Sequence, residues 1–512
     1  MKGDTIDINY KKVQKVLEKS YRHFDYNPSP KSAEIFIRNV VFNPKKVEKY
    51  RFYPFIMFNK KRIIYHRTKG KLRAHLRIKN RTISLVAHHD ALIYIHYANL
   101  LSKNYENYLS NYSNEKLEMV PTAYRKKLHS SNITAAKEVF DFIVDSKDCL
   151  IIKGDFKGFF DNLRHKILIK NICKVMDINE LKPDWKSVIK SLTKYRSTYS
   201  EDILKSMKKI GLKNNANFPY VKNRKEITIL TKYGGLFMHG PNQIGIPQGT
   251  SLSAILANVY MIEFDQIINK LINNLHGIYR RYSDDFIIVI PNKYIINDYY
   301  TEVIDPVFNT CKKYTKLTIE KHKTKVFTYK DNKIKYIKNS NIDYLDYLGF
   351  NFNGDTVRIR EKSIYKFHYK SKKIINALIS SRKYMYINNN TSEINPSKHS
   401  RKVWRHKEHK LEKLYQPTKQ NEFLKKLKRL KYSRNIKNLN LITKSYLSTK
   451  RYGKEWSMIS YAKKAQKIFE KNNKYDVKII NQINKQIKEN QKRINQSNKQ
   501  IKENQKRINQ SK

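Results

Sequence analysis

Three aspartates constrain this chain more than any other feature. Asp155 closes an apolar run, LIIKGD (150–155), and Asp284 and Asp285 stand side by side in GIYRRYSDDFIIVIP (277–291). Both runs read as buried strands, with the Ser-Asp-Asp step as a tight turn between two of them. Adjacent carboxylates between Tyr282 and Phe286 repel one another if buried without a cation. A divalent ion shared by Asp155 and Asp284 removes that cost, and this requires a fold that brings both strands into one sheet. Taken alone, Ser-Asp-Asp is also ordinary polar turn chemistry, so the neighbouring segments carry the decision.

Those segments alternate strand and helix signals. KKRIIYHRTKGKLRAHLRIKNRTIS, beginning at 60, alternates basic and apolar residues and predicts paired strands over 61–83. HHDALIYIHYANLL predicts a helix, as does the stretch 133–146. GIPQGTSLS (245–253) is a Gly/Pro turn that opens a helix with Leu252, Ile255, Leu256, Val259 and Ile262 on one stripe. LGFNFNGDTVRI (348–359) reads as another hairpin, and beyond about 360 the chain turns helical, Lys-rich and poor in Gly.

Acidic residues are scarce around these motifs: 44 Asp plus Glu face 105 Lys plus Arg, a formal charge of +61. A surplus of that size favours a polyanionic partner, with nucleic acid first. The rival, an anionic membrane surface, lacks a Trp/Phe-rich amphipathic terminal helix to support it. No apolar run reaches the ~18 residues of a membrane span, and MKGDTIDINY opens no secretory signal. Cys149, Cys173 and Cys311 fit neither a zinc knuckle nor a disulfide framework, so a reducing cytoplasm is expected.

Five segments occur in a telling order: KGDFKGFFDNL (153–163), GIPQGTSLSAILANVYM (245–261), YRRYSDDFIIVI (279–290), IEKHKTKVF (319–327) and YLGFNF (347–352). Together they resemble the palm motifs of reverse transcriptases, over roughly residues 60–370. The stretch DALIYIHYANLLSKNYENYL, with AYRKK at 123–127, is most similar to the bacterial defence-associated (abortive-infection and unknown-group) branch.

The resemblance implies an α+β right-hand polymerase, with fingers and palm followed by an α-helical thumb and C-terminal extension. Its divisions would be an N-terminal extension (1–60), fingers (61–150), first palm part (151–165), fingers insertion (166–244), second palm part (245–355), helical thumb (356–460) and basic tail (461–512). It implies that Asp155, Asp284 and Asp285 are catalytic. With the carbonyl of Phe156, they would hold two Mg²⁺ ions, for which Mn²⁺ could substitute. Phe160 would be the gate against a ribose 2′-OH, the local difference between the two sugars. Buried core packing suits its neighbour Phe159 better.

Gln248 and Gly249 would lie against the incoming nucleotide. Arg81, with Lys79 or Arg77, would grip the triphosphate, and Lys323, with Lys321 and Lys325 close by, would protonate the leaving pyrophosphate. Tyr347, Leu348, Gly349 and Phe350 would form the primer grip, although Leu348 reads equally well as core.

The implied function is RNA-directed DNA synthesis from deoxynucleoside triphosphates, with a structured noncoding RNA as template or scaffold, in anti-phage defence. The product would be an RNA–DNA hybrid or single-stranded DNA, and the chain could form a homo-oligomer. Template-independent or protein-primed synthesis at the same site remains open, as does a non-catalytic RNA-binding or splicing factor. Arg401 and His406 have the spacing of a ribonuclease pair that a Lys-rich helix also yields by chance. At the end of the chain, NKQIKENQKRINQS (484–497) recurs at 498–511. Ile recurs every seven residues from 480, but the second seam carries Asn490, Ser497 and Asn504. That favours a solvated basic tail over a coiled coil.

Overall fold

The structure, a computed structural model, describes residues 10–19, 21–66, 75–112, 116–125, 131–213, 215, 218–339, 341–390, 442–447 and 457–510. Two compact units divide the chain: Met1–Ser131 with Asp148–Thr328, and Asn132–Lys147 with Tyr329–Lys512.

The first unit carries β1 (Phe55–His66), β2 (His75–Leu85), β3 (Asp148–Asp155), β4 (Ser197–Tyr199), β5 (Ile278–Tyr282), β6 (Asp285–Pro291) and most of β7 (Lys325–Lys330). β1 and β2 pair antiparallel from Ile56↔Leu85 to His66↔His75, and β4 joins β1 in parallel. The paired strands expected over 61–83 are therefore present and begin earlier, where Phe55 and Ile56 are buried.

A second sheet contains β5, β6, β3 and β7 in that order. β3 is internal, which accounts for the apolar run of Cys149, Leu150, Ile151 and Ile152, all buried. It pairs antiparallel with β6 from Cys149↔Pro291 to Asp155↔Asp285. One step before that end, Gly154 faces Phe286, and a Cβ at Gly154 would stand 2.2 Å from the ring. Glycine is what lets the aromatic ring lie across the strand.

Helix Ser251–Tyr260 follows the Gly/Pro turn as expected. Thr250 caps it, its Oγ1 accepting the Ser253 N–H at 2.9 Å. Leu252, Ile255, Leu256 and Val259 are buried on it. Ile262 belongs to the next helix, Ile262–Asn274, because the chain departs from helical geometry at Met261.

The second unit holds β8 (Lys333–Tyr336), β9 (Leu345–Tyr347), β10 (Phe350–Phe352), β11 (Thr356–Ile359) and β12 (Asp476–Val477). Strands β12-β11-β10-β9 form one sheet in that order. Helix Asn132–Ser146 packs here: the Phe140 ring stacks on Phe352 at 4.9 Å, and Asp141 accepts the Tyr475 hydroxyl at 2.8 Å. The segment just ahead of β3, expected in the fingers, is thus built into the unit that contains the YLGF turn.

The first copy of the repeat differs from the expected solvated tail. It lies in helix Ile479–Gln510, which buries Ile479, Ile483, Gln486, Asn490 and Ile494. Asn490, which argued against an apolar seam, is fully buried. Its Oδ1 accepts the Ser371 hydroxyl at 3.0 Å, and its Nδ2 donates to the Tyr446 carbonyl at 3.3 Å. A satisfied polar group fits a core where an unsatisfied one would not. Arg401 and His406 lie outside the described residues.

Candidate active site

The carboxylates meet at the end of the central strands. Asp155 ends β3, and its direct register partner is Asp285, the first residue of β6. Tyr282 pairs with Asp285 across the hairpin, so Ser283 and Asp284 form a two-residue turn, Ser283 having a left-handed φ of 61°. The Asp284 carbonyl accepts the Phe156 N–H at 3.1 Å, tying this turn to the residue after Asp155. The backbones of the three aspartates therefore lie at one end of the same sheet.

A buried charge pair supports the turn from below. Arg281 is fully buried and donates to Asp265 of helix Ile262–Asn274 through Nη2 at 2.6 Å and Nε at 2.8 Å. Its Nη1 donates to the Ser283 carbonyl at 3.1 Å, and Tyr279 donates its hydroxyl to Asp265 at 2.8 Å. Burial disfavours the guanidinium charge, but the charge and hydrogen bonds of Asp265, with Tyr279 and Tyr105, together outweigh it and the Arg281 pKa is raised. On the other side, Arg281 exchanges backbone hydrogen bonds with Val120 and Thr122. Neither Arg281 nor Asp265 was singled out as functional from the sequence. The available signal was an arginine inside an apolar strand and an aspartate inside an apolar helix stripe.

A third chain segment reaches the site through its backbone. The Glu320 N–H donates to the Asp155 carbonyl at 2.9 Å, and the Lys157 N–H donates to that of Thr318 at 2.8 Å. This placement lets Lys323 Nζ donate to Asp155 Oδ2 at 2.7 Å and also to Glu320 Oε2. The hydrogen bonds to Asp155 and then Glu320 raise the Lys323 pKa. Glu320 is a site residue that the sequence reading missed, overshadowed by the lysines beside it.

Asp284 has a raised pKa, through desolvation first and then the Asp155 charge, although its place at an exposed turn limits how far burial can act. Among the described residues, no three His, Cys, Asp or Glu side chains converge as a ready-made metal cluster. The donor chemistry nevertheless suits Mg²⁺, which is commonly held by one or two carboxylates, with waters and substrate phosphates completing its octahedron. The Lys323 ammonium already stands as a cation against Asp155.

Other expected residues surround this point. Phe159 is buried, whereas Phe160 is half-buried, with its ring edge-on to Phe159 at 5.4 Å. The Phe160 carbonyl accepts the Ile246 N–H at 2.9 Å, and the Leu163 carbonyl accepts the Gly245 N–H at 2.8 Å. The GIPQG loop is thereby fastened alongside the segment after β3, leaving Gln248 and Gly249 exposed. Gly249 has φ 121°, and a Cβ there would stand 3.2 Å from the Ser84 carbonyl of β2. On β2, Arg81 stands opposite Lys60 in register, and Lys79 opposite Arg62.

Tyr347, Leu348, Gly349 and Phe350 lie in the second unit. Tyr347 and Phe350 pair in register and are buried, and Leu348-Gly349 forms the turn between β9 and β10. Both turn residues have positive φ, 46° and 97°. Leu348 is half-buried rather than core, and its carbonyl accepts from Asn132 Nδ2 at 2.9 Å.

The reverse transcriptase (RNA-dependent DNA polymerase) family profile matches residues 97–352, half of the chain. The chain belongs to that family. Its fold is the mixed α/β fingers and palm of a right-hand polymerase, followed by a helical C-terminal part. No curated protein matches it in sequence. Similar solved structures include the apo telomerase of Candida tropicalis truncated from its C-terminal domain (11% identity, 59% of this chain and 55% of that one, TM-score 0.35). The apo telomerase of the same species shows 13% identity, covering 58% and 47%, with TM-score 0.33. A Candida albicans telomerase in complex with a TWJ fragment of telomeric RNA shows 13%, 64% and 48%, with TM-score 0.32. The chain spans about half the length of these solved relatives.

Proposed function

We propose that this chain is an RNA-directed DNA polymerase that joins deoxynucleotides to a 3′-hydroxyl. The observation that carries the reading is the register pairing of Asp155 with Asp285, with Asp284 tied to Phe156 beside them. A module that only bound RNA would gain nothing from three acids gathered inside a chain of net charge +61.

Asp155, Asp284 and Asp285, with the Phe156 carbonyl, would hold two Mg²⁺ ions, which would supply charge neutralisation at the reacting phosphate. The remaining work belongs to the chain. Phe160 presents a ring edge where the sugar's 2′ position would pass. Gln248 and Gly249 offer an exposed loop to the base pair, and Arg81 and Lys79 bring positive charge to the triphosphate. Lys323 can pass a proton from Nζ to the departing pyrophosphate oxygen, which is general acid catalysis. Tyr347, Leu348, Gly349 and Phe350 would guide the primer strand.

The test is incorporation of labelled deoxynucleotides by the purified protein with its bound nucleic acid and Mg²⁺. Wild type should incorporate, and Asp284→Ala plus Asp285→Ala should not. Equal incorporation by both would reject the polymerase reading.

We further place the activity in cytoplasmic anti-phage defence, on a structured noncoding RNA, from the resemblance of 90–109 to defence-associated relatives. Among the described residues, no helix is long and apolar enough to cross a membrane. Sequencing co-purified RNA should return one dominant species, and a random cellular mixture would count against a dedicated template.

A further inference from the structure

The first unit contains a cavity of about 550 Å³ away from the carboxylate strands, lined chiefly by Lys45, Lys46, Lys49, Arg51, Arg224 and Tyr50. The lysines come from the short helix Pro44–Glu48 and its C-cap, and Arg224 opens helix Arg224–Lys232. The cavity is a shallow groove largely open to solvent rather than an enclosed pocket. Five cations facing one space repel each other, and among the described residues none of the five is ion-paired.

Glu48, in the same short helix as the lysines, is exposed, and the acid behind Tyr50 is already engaged. Asp90 lies behind Tyr50 and accepts the Tyr50 hydroxyl at 2.9 Å and the Tyr53 N–H at 2.8 Å. This hydrogen bond fixes the Tyr50 ring, and Phe36 and Phe52 pack edge-on to it at 6.0 and 5.0 Å. The Arg224 guanidinium lies over Tyr53, its Cζ 3.6 Å from the ring centroid. The groove therefore offers four cations without an ion-pair partner among the described residues, beside a planar group, the Arg224 guanidinium, which lies over Tyr53 and, at 5.9 Å, over Tyr50. Basic grooves interleaved with planar stacking groups are how proteins hold single strands without reading sequence.

We propose that this cavity binds single-stranded nucleic acid, with phosphates against Lys45, Lys46, Lys49 and Arg51 and a base stacked on Tyr50 or Arg224. The site uses none of the catalytic carboxylates, so it does not rest on the polymerase reading. It gives the chain a second grip on a strand, through its N-terminal region.

Binding of fluorescein-labelled octauridylate to the full chain, stripped of co-purified nucleic acid, tests this by anisotropy. Lys45→Glu plus Lys49→Glu should weaken binding by about tenfold or more. It should also flatten the log–log salt slope by about 1.4, at ~0.7 per phosphate contact on a single strand. Lys205→Glu plus Lys208→Glu, an equal charge change elsewhere in the same unit, should alter affinity by less than about twofold. Equal losses from both pairs would overturn the site, because net charge alone would then explain binding.

A free nucleoside triphosphate that competes as well as unlabelled octauridylate at equal molarity would overturn the strand assignment. Should the charge reversals disturb folding, crosslinking of a 4-thiouridine oligomer to the unaltered protein still decides. Adducts at Tyr50 or Arg224 support the site, and adducts confined to other residues reject it.

Discussion

Lys323 Nζ donates a hydrogen bond to Asp155 Oδ2 at 2.7 Å, so the proposed proton donor and a proposed metal ligand are partners in this structure. The ammonium must release that oxygen before a cation can use it fully. Lys323→Ala should therefore tighten Mn²⁺ binding, measured by titration calorimetry, while slowing turnover by about 10²-fold, as expected for loss of a general acid. Slower turnover with unchanged metal affinity would show that the pair does not compete with the ion.

Asp284 has a folded pKa raised above its unfolded value. Its stabilising contribution is then fully present below the unfolded carboxylate pKa and is lost as pH rises through the folded one. At neutral pH without metal, Asp284→Asn should melt no lower than wild type. Mg²⁺ should raise the wild-type Tm and leave that of the variant unmoved. An equal Mg²⁺ shift in both proteins would remove Asp284 from the metal site.

Phe160, half-buried beside the buried Phe159, has a free choice of contact on its open side. Phe160→Ala should raise ribonucleotide incorporation relative to deoxynucleotide by at least about tenfold. Phe159→Ala should instead lower the Tm. Unchanged sugar selectivity in Phe160→Ala would place the gate elsewhere.

Leu348 adopts φ 46° in a turn whose neighbour Gly349 has φ 97°. Such turns favour Asn-Gly, and a leucine in the left-handed region costs about 1 kcal/mol. Leu348→Asn should raise urea-unfolding stability by about that amount and reduce primer extension. A gain in stability with extension intact would remove Leu348 from the primer contact.

His23 is fully buried, and burial, opposed by the Asp25 carboxylate, lowers its pKa to about 4. A histidine depressed in the folded state contributes stability above its unfolded pKa of about 6.5 and loses it as pH falls towards the folded value. Acidification from pH 6.5 to 4 should cost up to roughly 3 kcal/mol from this group. His23→Gln should flatten the Tm profile over that window. Parallel profiles would assign the acid sensitivity to other groups.

How far the site could be read in advance depended on the kind of information each residue carries. Asp155, Asp284 and Asp285 were legible because strand hydrophobicity, turn chemistry and charge scarcity all converge on them. A tight turn at Ser-Asp-Asp followed from the same string, but Asp285, read as part of that turn, instead opens β6. Glu320 was not legible as a site residue, because its place beside Asp155 depends on Thr318 and Glu320 aligning their backbones along Lys157 and Asp155. The Arg281–Asp265 pair was hidden for a similar reason: two charges in apolar segments announce a partner without saying which. The stripe ending at Ile262 overran its helix because hydrophobic spacing persists through the break at Met261. Asn490 was misjudged because a polar seam residue reads as exposed until its partner Ser371, 119 positions earlier in the chain, is known.

That asparagine bears on how the gene can vary. The two copies of NKQIKENQKRINQS are identical, and tandem identical segments are prone to gain or lose a copy during replication. The Asn490–Ser371 contact belongs to the first copy, and the buried positions among the described side chains end at Ile494, within the same copy. Each added copy would lengthen the helix by about 21 Å, at ~1.5 Å per residue, and leave that contact in place. Variants of this protein that differ in repeat number should therefore keep the Asn490–Ser371 contact and differ in the reach of their basic helix.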